Sequence, residues 1–261
     1  DVCINLAGRS INCRLTPLNR DEVYNSRIRS THLLGRIIAS LAKPPRVWLN
    51  ASTATIYRHA FEPMDEFTGE YGGSEFITQR RRAPEKWNFS VKVAMDWEAA
   101  LFAAFTPRTR KVALRTTIVM GPEPGGAFAT FLNLVRFSLG GTQGNGRQFV
   151  SWIHALDFAR AVEFLIARDD IDGAVNLAAP YPVPNREFMA TLREAYGMPN
   201  GIPAPAPLLE LAALFMRTES ELVLKSRFVV PKRLLDAGFQ FELPEWRQAA
   251  EDLVAQVRTR Q

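Results

Sequence analysis

The order of the apolar segments constrains this chain more than any single motif. Short β-branched runs alternate with longer amphipathic stretches. Residues 2–7 read as a strand ending at Gly8. Residues 19–42 carry helical spacing at Val23, Ile28, Leu33, Leu34, Ile37 and Ile38, and Lys43-Pro44-Pro45 stops them. Strands follow at 47–52, 112–119, 149–153 and 174–178, and helices at 90–105, 126–139 and 156–167. This alternation predicts βαβ units and a parallel sheet. The strand runs are apolar on both faces, so the expected fold is α/β with helices on each side of the sheet. Beyond Pro180 the pattern changes. Pro182, Pro184, Pro203, Pro205 and Pro207 separate helical pieces at 186–196, 208–216, 232–237 and 245–257. Residues 1–179 are therefore expected to form the main domain and 180–261 a small, mostly helical lobe, with 122–152 lining a cleft between them.

Composition narrows the function classes. The 261 residues are 47% hydrophobic, enough for a buried core. No apolar run approaches the roughly 20 residues of a membrane span. The 32 Lys and Arg are scattered against 27 Asp and Glu. Their one dense cluster, Arg80-Arg81-Arg82, reads as a solvated loop, so RNA binding is the weaker alternative. Cys3 and Cys13 show no metal or redox spacing, which fits a reduced, cytoplasmic protein. His32 and His59 give no ligand spacing, so no metal is expected.

A dinucleotide fold normally places a Gly-rich turn after its first strand, where backbone N–H groups meet the pyrophosphate. No such turn follows a strand in this chain, and Gly140, Gly141, Gly144 and Gly146 come after a helix. Other segments carry a resemblance. VCINLAG at 2–8 with the following Ser26-Arg27-Ile28-Arg29-Ser30-Thr31, the run Leu49 to Tyr57, Leu114 to Pro122, Phe149 to Asp157 and Ala174 to Ala178 resemble, in order, the later strands of extended short-chain dehydrogenases/reductases. GGTQGNGRQFVSWIH and VVPKRLLDAGFQF are similar to the epimerase-like subgroup that ends in a domain of unknown function, DUF1731. The resemblance implies a Rossmann-type doubly wound parallel sheet and an NADP or NAD cofactor, with NADP favoured. It also implies that about 50–60 residues carrying the first βαβ unit precede Asp1.

The chemistry departs from the usual pattern. Such enzymes use a Tyr as acid/base with a Lys one turn later on the same helix face. None of Tyr24, Tyr57, Tyr71, Tyr181 and Tyr196 has Lys four residues on, and Phe89 and Val93 stand at the matching positions. Thr53, Ser52 and Tyr57 remain at the strand end as candidate catalytic groups. For Ser52 and Thr53 the alternative is capping of a turn, and for Tyr57 it is packing. Ala7, Gly8 and Ala51 are candidate cofactor contacts, because small residues let a ribose approach the backbone. Arg115 joins them, or bonds strand-end carbonyls. Arg147 and Gln148 are candidates for holding a polar or anionic substrate. His154 either faces the pocket or, with Asp157, orients a helix start. The apolar surplus on the 90–105 helix calls for a second partner, either the 19–42 helix or another subunit in a homodimer. Two functions remain open: an epimerase/dehydratase-like oxidoreductase with a non-standard acid/base set, or a non-catalytic dinucleotide-binding regulator in cell division or redox sensing.

Overall fold

The computed structural model describes residues 1–11, 13–72, 85–205 and 224–260. Its central sheet has four parallel strands in the order β1 (Val2–Asn5), β2 (Val47–Thr53), β3 (Arg110–Thr116) and β7 (Gly173–Leu177). Residues 112–119, expected as one strand, divide at Thr117. Strand β4 (Ile118–Met120) leaves the sheet to pair in parallel with β6 (Trp152–His154). The expected 149–153 strand divides as well, because β5 (Phe149–Val150) pairs antiparallel with β8 (Val183–Pro184). The Arg80-Arg81-Arg82 cluster and the expected 208–216 helix lie outside the described residues.

Helices cover both faces. On one side lie α1 (Pro17–Ser40) and α2 (Glu85–Phe102), and on the other α4 (Ala155–Ala167) and α6 (Lys232–Asp236). Strand alternation sorts the side chains between them. Val47, Leu49, Val112, Leu114, Val175 and Leu177 pack with Ala161, Leu165 and Leu234, whereas Trp48 and Ala113 pack with Ile38 and Leu101. Helix α1 starts where the Thr16 side chain accepts a hydrogen bond from the Asn19 N–H and Pro17 supplies a first-turn residue with no N–H to satisfy. The surplus apolar face of α2 finds its partner in α1, through Ile28 against Trp97 and Ala100.

A second core joins α3 (Ala127–Arg136), α5 (Asn185–Tyr196) and α7 (Trp246–Thr259). Phe188 stacks on Trp246 at 4.0 Å, and Trp152 meets Trp246 edge-on at 5.1 Å. Two carboxylates, the buried Asp157 and the half-buried Glu66, tie the chain beyond residue 230 to the sheet. Asp157, at the start of α4 and 1% exposed, accepts the N–H groups of Glu242 and Leu243 at 2.9 and 3.0 Å and holds Arg160 at 3.1 Å. Glu66 accepts the N–H of Asn176 on β7 and that of Arg233 on α6. Among the described residues, no helix is long and apolar enough to cross a membrane.

Asp157→Ala leaves two backbone donors without their acceptor and is expected to lower the free energy of unfolding by roughly 2–4 kcal/mol. Urea denaturation measures it, and a loss under about 0.5 kcal/mol would show that the carboxylate does not hold the 242–243 segment.

Candidate functional site

The C-terminal ends of β2 and β3 open into a cavity of about 270 Å³. In open parallel sheets this is where ligands bind. Two helical stripes wall it. Phe89, Val93 and Trp97 recur at steps of four on α2, and Val23 and Arg27 do so on α1. Ile11 and Leu15 add apolar surface from the loop before α1. Ser52, Thr53, Thr55, Ser90 and Thr116 supply hydroxyls, and Arg227 enters from the chain after β8. Ser52 and Thr53, proposed from sequence, thus share one cavity with Phe89 and Val93. No residue of 122–152 is among those lining it.

The hydroxyls differ in how far they are committed. Ser52 is buried and donates to Glu98 Oε1 at 2.6 Å. Thr53 is half-buried, and its Oγ1 accepts the Thr55 N–H at 3.2 Å and bonds Thr55 Oγ1 at 3.0 Å, capping the one-turn 3-10 helix Ala54–Ile56. That cap places both threonine hydroxyls at the cavity wall.

Behind this wall runs a buried polar chain. Arg115 Nε and Nη2 donate to the two oxygens of Glu98, each at 2.8 Å. Nη1 donates to the Tyr57 hydroxyl at 2.8 Å and Nη2 to that of Tyr71 at 2.6 Å, with the guanidinium over both rings. Tyr57 in turn donates to Asn176 Oδ1 at 2.9 Å. Burial would lower the Arg115 pKa, but the bonds and charge of Glu98 outweigh it and raise the pKa above the ordinary value. Burial likewise pushes the Tyr57 phenol up to about 12, partly offset by Arg115. A phenol so held keeps its proton at neutral pH, and neither Tyr57 nor Arg115 is among the residues lining the cavity.

The remaining candidates sit elsewhere. Ala7 and Gly8 are exposed at the end of β1, and the Asn5 side chain accepts the Ala7 N–H at 3.1 Å while donating to Asn50 at 2.7 Å. A Cβ on Gly8 would lie 3.2 Å from Cζ of Arg27. Ala51 is half-buried beside Ile28 and Trp97. Arg147 is exposed, and the buried Gln148 donates to the Gln143 carbonyl at 2.8 Å. His154 caps α4, its Nδ1 accepting the Leu156 N–H at 3.1 Å and its Nε2 lying 3.1 Å from Asp252 of α7. Sequence reasoning gave no role to Arg27, Thr55, Glu98, Ser90, Thr116 or Arg227. The four-residue steps from Phe89 to Trp97 and from Val23 to Arg27 were the available signal for the helical members. Nothing local marks Arg227.

A parallel sheet flanked by helices, with hydroxyl side chains at its strand ends, defines a Rossmann-type fold of the short-chain dehydrogenase/reductase kind. The comparisons sharpen this. Residues 204–253 match the domain of unknown function DUF1731. The mouse epimerase family protein SDR39U1 is 34% identical over 264 residues, covering 98% of this chain and 82% of that protein. The Staphylococcus aureus (strain N315) epimerase family protein SA0724 is 33% identical over 254 residues, covering 97% and 79%. The crystal structure of human SDR39U1 (isoform 2) with NADPH gives a TM-score of 0.85 at 30% identity, covering 98% of this chain and 82% of that one. The chain belongs to this epimerase family, an atypical short-chain dehydrogenase/reductase group with a C-terminal DUF1731 domain.

His154 makes a pH prediction. Burial, opposed by Asp252 and Asp157, lowers its pKa from 6.5. The fold therefore prefers the neutral ring, and the stability this adds is present above pH 6.5 and lost as pH falls through the lowered value. His154→Asn keeps a capping side chain and removes the titration. Its Tm is expected to fall less than the parent's between about pH 7 and pH 5; parallel Tm curves would remove His154 from the pH response.

Proposed function

We propose that the protein binds NADP or NAD across the C-terminal ends of β1, β2 and β3 and acts as an epimerase/dehydratase-like oxidoreductase on a carbonyl or hydroxyl substrate. The observation that carries this reading is the shared cavity of Ser52, Thr53 and Thr116 at the ends of adjacent parallel strands. NADPH in the human SDR39U1 structure supports the choice of cofactor class. The residues present fit such a cofactor. Exposed Ala7 and Gly8 leave backbone open to a ribose, and the Phe89 and Val93 side chains suit the face of a nicotinamide.

When bound, the nicotinamide supplies hydride transfer. The chain's own part is orientation and exclusion of water. Thr53 Oγ1 donates to Thr55 Oγ1 in the free protein, and turning that proton into the cavity lets it donate to a substrate oxygen. Arg115 acts as a positioning residue: through Glu98 it fixes Ser52, and directly it fixes Tyr57. Phe89 exchanges no proton, and Val93 carries no charge to lower a neighbour's pKa. The proton therefore travels through hydroxyls and solvent rather than a Tyr–Lys pair. Those same two residues favour a second reading, a dinucleotide-binding regulator without turnover.

NADPH fluorescence titration tests binding, and turnover over a panel of carbonyl compounds tests chemistry. Thr53→Ala is expected to lower kcat/KM about a hundredfold, and an unchanged rate would reject its role. Tight binding without turnover across the panel would favour the regulator. We also propose a homodimer, because α1, α2 and the turn after α2 leave Leu33, Ile37, Met95, Phe102 and Phe105 exposed. Light scattering should give twice the monomer mass, and a monomer mass at every concentration would reject the dimer.

A further inference from the structure

We infer that the strand-end cavity takes a substrate bearing an oxyanion, a carboxylate or phosphate group, with Arg27 as its principal ligand and Arg227 as the second cation. The inference rests on reading this cavity as the substrate site. Among the described residues, the ionisable side chains of its wall are these two arginines. Of the hydroxyls on that wall, Ser52 already donates to Glu98, Thr53 to Thr55 Oγ1 and Thr116 to the Leu114 carbonyl, so the arginines carry the recognition of charge.

Arg27 is held in a manner that leaves half of its hydrogen-bonding edge open. Nη1 donates to the carbonyl oxygens of Arg9 at 3.1 Å and Val23 at 2.9 Å, while the guanidinium packs over the Trp97 ring at 5.1 Å. Among the described residues, Nε and Nη2 have no protein acceptor. A planar guanidinium anchored along one edge presents the other as a fork that matches carboxylate and phosphate oxygens. Arg27 is half-buried, it has no paired carboxylate among the described residues, and burial lowers its pKa. The nearest acid on its own helix, Glu22, is paired with Arg9. Gly8 lies against the guanidinium, where an added Cβ would come within 3.2 Å of Cζ. A bound oxyanion would supply the counter-charge that Arg27 lacks among the described residues. The volume, about 270 Å³, suits a small group rather than a large one.

The test is thermal denaturation of the protein with increasing sodium phosphate or sodium acetate at constant ionic strength, run beside NADPH titration of the same samples. A saturable rise in Tm is expected with at least one anion. Response to phosphate or to acetate tells which oxyanion the site prefers. Arg27→Gln should raise the half-saturating concentration about tenfold or more, Arg227→Gln should raise it less, and Arg27→Lys should recover part of the effect. NADPH affinity should stay within about twofold in all three. Far-UV circular dichroism separates loss of the site from loss of fold, and the Lys variant carries the comparison if the Gln variant unfolds. Three results would overturn the proposal: no saturable rise with either anion, equal rises in parent and Arg27 variants, or a loss of NADPH affinity that matches the loss of anion binding and so assigns Arg27 to the cofactor. Anion binding in a protein that fails to bind NADPH would leave this inference standing and defeat the dinucleotide reading instead.

Discussion

The bidentate pair between Arg115 and Glu98 is the interaction on which the strand-end architecture depends. It joins β3 to α2 across a buried interface, with side-chain exposures of 3% and 9%. Removing one partner of such a pair costs about 3–5 kcal/mol, because the other is left charged in a poor solvent. The pair also bonds three further side chains. Glu98 takes the Ser52 proton, and Arg115 holds Tyr57 and Tyr71. The pair thereby sets the end of β2, the start of the loop after it and the packing of α2 in a single network.

That network explains how a cavity with little acid–base chemistry is nonetheless well defined. The polar groups capable of strong electrostatics lie behind the wall, spent on structure. In front of it stand hydroxyls, an aromatic and aliphatic stripe, and two arginines. The most strongly shifted ionisable groups therefore mark the scaffold rather than the chemistry. Perturbed pKa values at a pocket are a pointer to function only when the groups reach the pocket.

The C-terminal region completes the wall from a distance. Buried Asp157 and half-buried Glu66 spend carboxylates on backbone N–H groups at 242–243 and 233, and Asn176 donates to the Val230 carbonyl at 3.0 Å. Lys225 reaches the Thr55 carbonyl at 3.1 Å, and Arg227 donates its N–H to the Phe149 carbonyl at 3.0 Å. These bonds bring a segment more than a hundred residues away in sequence to the end of β2. Helix α3, which precedes Pro180 in the chain, packs with α5 and α7 in the second core.

The layered fold was legible in the sequence because period-2 and period-3.6 patterns are local, and the sheet's hydrophobic content follows from them. Ser52 and Thr53 were legible for the same reason: a strand end is a place in the pattern. The splits at Thr117 and Ser151 were not, since β4 and β5 exist only through partners that sequence periodicity does not name. Nor was the difference between Thr53 at the cavity and Tyr57 behind it, four residues apart, which a turn of 3-10 helix decides. By itself the sequence determined the alternating α/β order, the family motifs and the absence of a Tyr–Lys pair. Only the tertiary structure decided which arginine would be neutralised by Glu98 and which would face the cavity with one edge unpaired, because a charge's role is set by the partners that burial brings to it.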